Sequence, residues 1–152
     1  MKLAEALQER ADLNKKIEEL RNRIENCVLV QEGEEAGEDP AALLVELDDA
    51  IARLEILMAA INLTNNRTKV NGKSLTQIIA RKDALNLQRG AYRSIYYAAA
   101  QNTQRARGTE IRVKALLKAA DIQKTSDRLA KEVRELDNLL QETNWKTKLI
   151  GV

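Results

Sequence analysis

The chain has 152 residues, 32% of them charged, with no histidine, no phenylalanine, one cysteine, one proline and a formal charge of +2. The missing histidines remove the commonest general base and metal ligand, and a single cysteine excludes an internal disulfide. No run of 18 apolar residues is present, which excludes an apolar transmembrane helix, and the Leu/Ala/Glu/Lys/Arg-rich remainder is the composition of long helices.

Charge is unevenly distributed. Residues 1–65 carry 7 Lys/Arg against 15 Asp/Glu, residues 66–118 carry 12 against 2, and residues 119–152 carry 6 of each. An acidic front and a basic middle can neutralise one another on folding; the other use of a basic middle is to face an external polyanion.

From the N-terminus, Leu3, Ala6, Arg10, Leu13, Ile17, Leu20, Ile24 and Cys27 recur every three or four residues. That spacing places them on one stripe and predicts a first helix over about 2–27. Cys27 continues the stripe as a small core residue. Val28-Leu29-Val30 reads as a short extended piece. The acidic stretch Glu32-Gly33-Glu34-Glu35-Ala36-Gly37-Glu38-Asp39 reads as a solvated loop, its spacing unlike that of an EF-hand. Asp39 before Pro40 is an N-cap followed by proline at the first helical position. The second helix, about 40–62, repeats Leu44, Leu47, Ile51, Leu54, Met58 and Ile61, the seam of a coiled coil, and Asn62, Asn65 and Asn66 should end it.

Asn71-Gly72 within 68–75 is the pair that a type I′ turn demands, so a small hairpin is expected there. Ser74-Leu75-Thr76-Gln77 has the form of a capping box opening a third helix over about 75–100. Its seam rows are Leu75, Lys82, Arg89, Tyr96 and Ile78, Leu85, Tyr92, Ala99. Lys82 and Arg89 stand where apolar residues belong, so each needs a carboxylate of the first two helices, an exit for its charge, or a bound anion. The last alternative makes Lys82, Arg89, Arg93 and Tyr96 a candidate ligand-binding set, its three cations within about 40° of one another on the helix.

Residues 101–108 loosen the pattern, and Thr109-Glu110-Ile111-Arg112-Val113-Lys114 alternates polar and apolar, which predicts a short strand near 110–114. No aromatic interleaves with Arg105, Arg107, Arg112 and Lys114, so base stacking on nucleic acid is not expected. Asp121 is a candidate N-cap for a last helix, about 122–142, with a seam of Ile122, Ser126, Leu129, Val133, Leu136 and Leu140. Trp145 reads as a docking anchor, and 146–152 as a flexible tail.

These elements make a single, mainly all-α domain over 1–152: four long helices in an antiparallel bundle or coiled-coil arrangement, with short strands near 28–30, 68–75 and 110–114. No glycine-rich phosphate loop, nucleophile elbow or metal-ligand spacing is present, so no enzyme, cofactor or metal site is expected. The first five residues already carry charge, and with the lone cysteine this points to a cytoplasmic protein.

Several stretches carry a resemblance: Met1-Lys2-Leu3-Ala4-Glu5-Ala6-Leu7, Leu29-Val30-Gln31-Glu32-Gly33-Glu34, Glu38-Asp39-Pro40, Ile61-Asn62-Leu63-Thr64-Asn65, Thr109-Glu110-Ile111, Arg134-Glu135-Leu136-Asp137 and Asn144-Trp145. Through them the chain resembles a family of small bacterial helical proteins, some labelled septicolysin. The resemblance implies a helical fold and brings no catalytic residues; the label implies a membrane-active, pore-forming lysin. The residues themselves favour a self-associating cytoplasmic scaffold or interaction protein, whose partner is a further copy or another protein. The alternative they offer is a binder of a small anion through the basic helix face.

Overall fold

A computed structural model of the protein describes residues 1–101 and 111–151. The fold is mainly α. Four helices, α1 (Leu3–Cys27), α2 (Pro40–Arg67), α3 (Leu75–Ala99) and α4 (Ala119–Lys146), are accompanied by a two-stranded antiparallel sheet of β1 (Lys69–Val70) and β2 (Lys73–Ser74). Where the sequence reads as one domain, the chain divides into two compact units, Met1–Ser74 with Glu142–Val152, and Leu75–Gln141.

The first unit is an α1/α2 hairpin. Glu5 accepts the Lys2 backbone N–H at 2.6 Å and secures the start of α1. Asp39 accepts the Ala41 N–H at 3.0 Å, with Pro40 as the first residue of α2, as the Asp-Pro pair predicts. The two helices are antiparallel, because charged residues rising along α1 meet residues falling along α2 and the segment before it: Glu9 with Arg53, Lys16 with Glu46, Arg23 with Glu38.

The α1 seam is as expected, every member from Leu3 to Cys27 being buried or half-buried. The α2 seam is shifted. Leu43, Ala50, Leu57 and Thr64 are buried, with Ile61 and the half-buried Leu47 and Leu54 beside them, whereas Leu44, Ile51 and Met58 are exposed. Both rows repeat every seven residues, and the row that faces α1 is the one led by Leu43. The helix also runs on through Asn62, Asn65 and Asn66 to Arg67. Burial of Ile61 and Thr64 in that stretch outweighs the weak preference of asparagine against helix.

Asn71 and Gly72 have φ of 51° and 80°, the two left-handed residues of a type I′ turn, and they set the register Lys69↔Ser74 and Val70↔Lys73. The other two strands expected are absent among the described residues. Val28 keeps helical angles and donates to the Ile24 carbonyl at 2.9 Å, so it closes α1. Thr109 and Glu110 lie outside the described residues. From 111 to 118 the backbone is irregular apart from a one-residue bridge at Arg112, and Ile111 and Val113 are exposed. An alternating pattern makes a strand only where one of its faces is covered.

The expected flexible tail is tied down as far as Gly151. The Leu3 N–H donates to the Thr147 carbonyl at 2.9 Å, and the Leu149 N–H to the Met1 carbonyl at 3.0 Å. The Ile150 N–H reaches the Thr64 hydroxyl at 2.9 Å.

In the second unit Leu75, Ile78 and Leu85 of α3 and Leu129 and Leu140 of α4 are buried. The helices run antiparallel: Lys82 pairs with Asp137, while Arg89 and Arg93, further along α3, share a groove with Ser126, further back on α4. Helix α4 opens at Ala119, so Asp121 lies in its first turn, where a carboxylate still favours the helix dipole. It ends at Lys146, which makes Trp145 a partly exposed residue of its last turn.

Candidate functional site

The four residues singled out on α3 separate in the structure. Lys82 Nζ lies 2.8 Å from Asp137 Oδ1, its side chain 25% exposed. The carboxylate that answers this seam cation comes from α4, where the sequence pointed to the first two helices. Tyr96 packs edge-on against Tyr97, ring centres 5.5 Å apart. Arg89 and Arg93 remain together, one helical turn apart, and line a groove of about 280 Å³ with Asn86, Gly90 and Ser126.

Neither guanidinium has an ion pair among the described residues. Like charges four residues apart on a helix repel, so the pair is a local cost that an anion would relieve. Gly90 sits mid-helix, where glycine costs roughly 1 kcal/mol against alanine, and a Cβ placed there would meet nothing within 4 Å. Its lack of a side chain leaves the groove floor open. Asn86 and Ser126 supply an amide and a hydroxyl that accept or donate as a ligand requires. Asn86, Arg89, Gly90 and Arg93 share one helical face, and Ser126 is the one polar member of the α4 seam. Both signals are written in the sequence.

A larger depression, about 410 Å³, runs along α1 between Met1 and Lys16. One helix forms it, without an opposing wall, and its acids are Glu5, Glu9 and Asp12. Among the described residues no three Cys, Asp or Glu side chains converge on a point where a metal could be held.

Electrostatics concentrate instead along the α1/α2 hairpin. Arg53 grips Glu9 with two parallel hydrogen bonds, Nε to Oε1 at 2.7 Å and a terminal nitrogen to Oε2 at 3.0 Å. That bidentate contact holds the Glu9 carboxyl below its ordinary range. Arg23 does the same to Glu38, and Lys146 to Glu142.

The remaining feature is the outer side of α2. Leu44, Val45, Ile51, Ile56 and Met58 are all exposed, with Asp48, Asp49 and Glu55 among them. None of these three carboxylates has an ion pair among the described residues.

Fold and sites together define a mainly α protein of antiparallel helix pairs, with an uncovered apolar helix face and a small cationic groove. Residues 10–149 match the family of unknown function DUF6847, and the chain belongs to that family. It is similar to a solved crystal structure, a functionally unknown conserved protein from Corynebacterium diphtheriae, at 34% identity with a TM-score of 0.91 over 98% of each chain. No curated protein matches the sequence. Neither description carries the septicolysin label or a lytic activity, so that part of the resemblance gains no support.

Proposed function

We propose that the protein is a self-associating helical scaffold or interaction protein of the cytoplasm, without catalytic activity. The observation that carries this reading is the second apolar row of α2: Leu44, Ile51 and Met58 are 49%, 46% and 43% exposed, at seven-residue spacing, on a helix whose first row is already buried. A helix apolar on both its covered and uncovered sides is built for a further contact, and contiguous exposed apolar side chains mark interaction surfaces. The lone, half-buried Cys27 fits a reducing compartment. No helix among the described residues is long and apolar enough to cross a membrane, so membrane lysis draws no support from one.

Light scattering on the full chain at micromolar concentration tests the reading. The expected result is a dimer or larger, shifted towards monomer in Ile51→Ser/Met58→Ser while circular dichroism at 222 nm is retained. A monomeric wild type at tens of micromolar overturns self-association.

A second reading rests on a separate observation: Arg89 and Arg93, without an ion pair among the described residues, line one groove with Gly90. The groove is proportioned for a small oxyanion such as phosphate or a carboxylate. Millimolar phosphate should raise the melting temperature of the wild type and leave Arg89→Met unmoved. Equal behaviour of the two proteins would remove the motive for a site here.

A further inference from the structure

The outer side of α2 specifies its partner by charge as well as by apolarity. Beyond the Leu44 row it exposes Val45 (61%) and Ile56 (53%), and its carboxylates Asp48, Asp49 and Glu55, without an ion pair among the described residues, call for cations set among apolar side chains. One described segment of this chain has that composition. Ile111-Arg112-Val113-Lys114-Ala115-Leu116-Leu117-Lys118 holds three cations, no acid and four exposed apolar residues: Ile111 (67%), Val113 (43%), Leu116 (91%) and Leu117 (56%). Leu116 is the most exposed large apolar side chain among the described residues, and Arg112, Lys114 and Lys118 have no ion pair among them.

We infer that segment 111–118 of one copy docks along the outer face of α2 of a second copy. This rests on the self-association reading and names the two surfaces that meet. Lengths agree: seven steps of extended chain reach about 23 Å, and Leu44 to Met58 on a helix span about 21 Å. Charges agree: Asp48 and Glu55 lie four residues on from Leu44 and Ile51, beside the row that the segment and its three cations would follow, which favours this partner over an acidic one. The other exposed apolar stretch, Val28-Leu29-Val30, is followed by Glu32, Glu34 and Glu35, which would set acid against acid on the same face. Between the bridge at Arg112 and the start of α4 the backbone lies in no helix or strand, and docking covers Leu116 and Leu117, which are exposed in one copy. Each copy carries both surfaces and the two differ, so the contact is heterologous and joins copies head to tail.

Paired charge reversal tests the inference on the full chain. One variant is Asp48→Lys/Asp49→Lys/Glu55→Lys; the other is Arg112→Glu/Lys114→Glu/Lys118→Glu. Each alone should weaken assembly at least about tenfold with helicity retained, and an equimolar mixture should regain it, because every reversed α2 then meets a reversed segment. Cysteine pairing gives a readout independent of the reversals. In a Cys27→Ser background, Ile51→Cys mixed with Leu116→Cys should form the mixed disulfide faster than either homodimer. A wild type that is itself monomeric overturns both this inference and self-association, leaving the face to a different protein. An assembling wild type whose reversed variants still assemble, a mixture that stays dissociated, or mixed and homodimeric disulfides forming at equal rates overturns this pairing alone.

Discussion

Thr64 is the one fully buried polar residue among those described, and its hydroxyl is used twice. It donates to the Ala60 carbonyl at 2.7 Å, inside its own helix, and accepts the Ile150 N–H at 2.9 Å. Thr64→Val keeps the shape and removes both bonds, stranding a partly buried backbone donor. The expected loss is about 1–3 kcal/mol, read as a lower urea midpoint at unchanged slope, with Thr64→Ser closer to wild type. An unaltered midpoint in the valine variant would mean that water serves Ile150 equally well. None of this shows in the sequence, where Thr64 sits among asparagines that read as a helix stop. Lys82 and Arg89 are the opposite case. Their misfit on an apolar seam is plain from spacing, but which of them finds a carboxylate depends on which helix lies opposite, and spacing along one helix carries no such information.

For whole helices, legibility follows how one-sided the apolar pattern is. Helix α1 has one apolar row, and its spacing identifies each buried or half-buried member from Leu3 to Cys27. Helix α2 has two overlapping seven-residue rows, led by Leu43 and by Leu44, and periodicity cannot choose between them; contact with α1 does. The charges could have helped, since Glu9, Lys16 and Arg23 recur at seven-residue spacing and find Arg53, Glu46 and Glu38 in reverse order. That ladder makes a pH prediction. The Arg53 hydrogen bonds hold the Glu9 carboxyl below the ordinary 4.5, so folding protects the ionised form. Stability from this pair is therefore present above about pH 4.5 and lost as pH falls through the depressed value. Arg53→Met should be less stable than wild type at pH 7, with the difference shrinking below pH 4.5 and vanishing once Glu9 is protonated. Chemical denaturation at pH 7, 4.5 and 3 checks it; a constant difference would assign the loss to packing of the arginine stem.

At the scale of the molecule, the number and order of helices and the turn at Asn71-Gly72 were legible, because each is written in local spacing. The fastening of the chain ends was not, since it joins residues nearly the whole sequence apart. Thr147-Lys148-Leu149-Ile150 runs polar, polar, apolar, apolar, so no alternation marks 147–151 as extended chain. In the structure it runs antiparallel to the first residues, bridging Lys148 to Lys2, and Gly151 at φ 90° brings the end against Leu63. The strap also serves the start of α1, since the Leu3 N–H would otherwise be one of the orphan donors of a helix start. Removing residues 147–152 deletes the hydrogen bonds donated by Leu3, Thr147, Leu149 and Ile150, at about 1 kcal/mol each, together with half-buried Leu149 and Ile150. Its effect should be local before it is global. Hydrogen exchange should quicken at Leu3 to Ala6 and at the last turn of α2, while the amides around Ile78 and Leu85, in the other compact unit, keep their wild-type rates. Equal acceleration in both units would show that the strap secures the whole chain and not the α1/α2 hairpin alone.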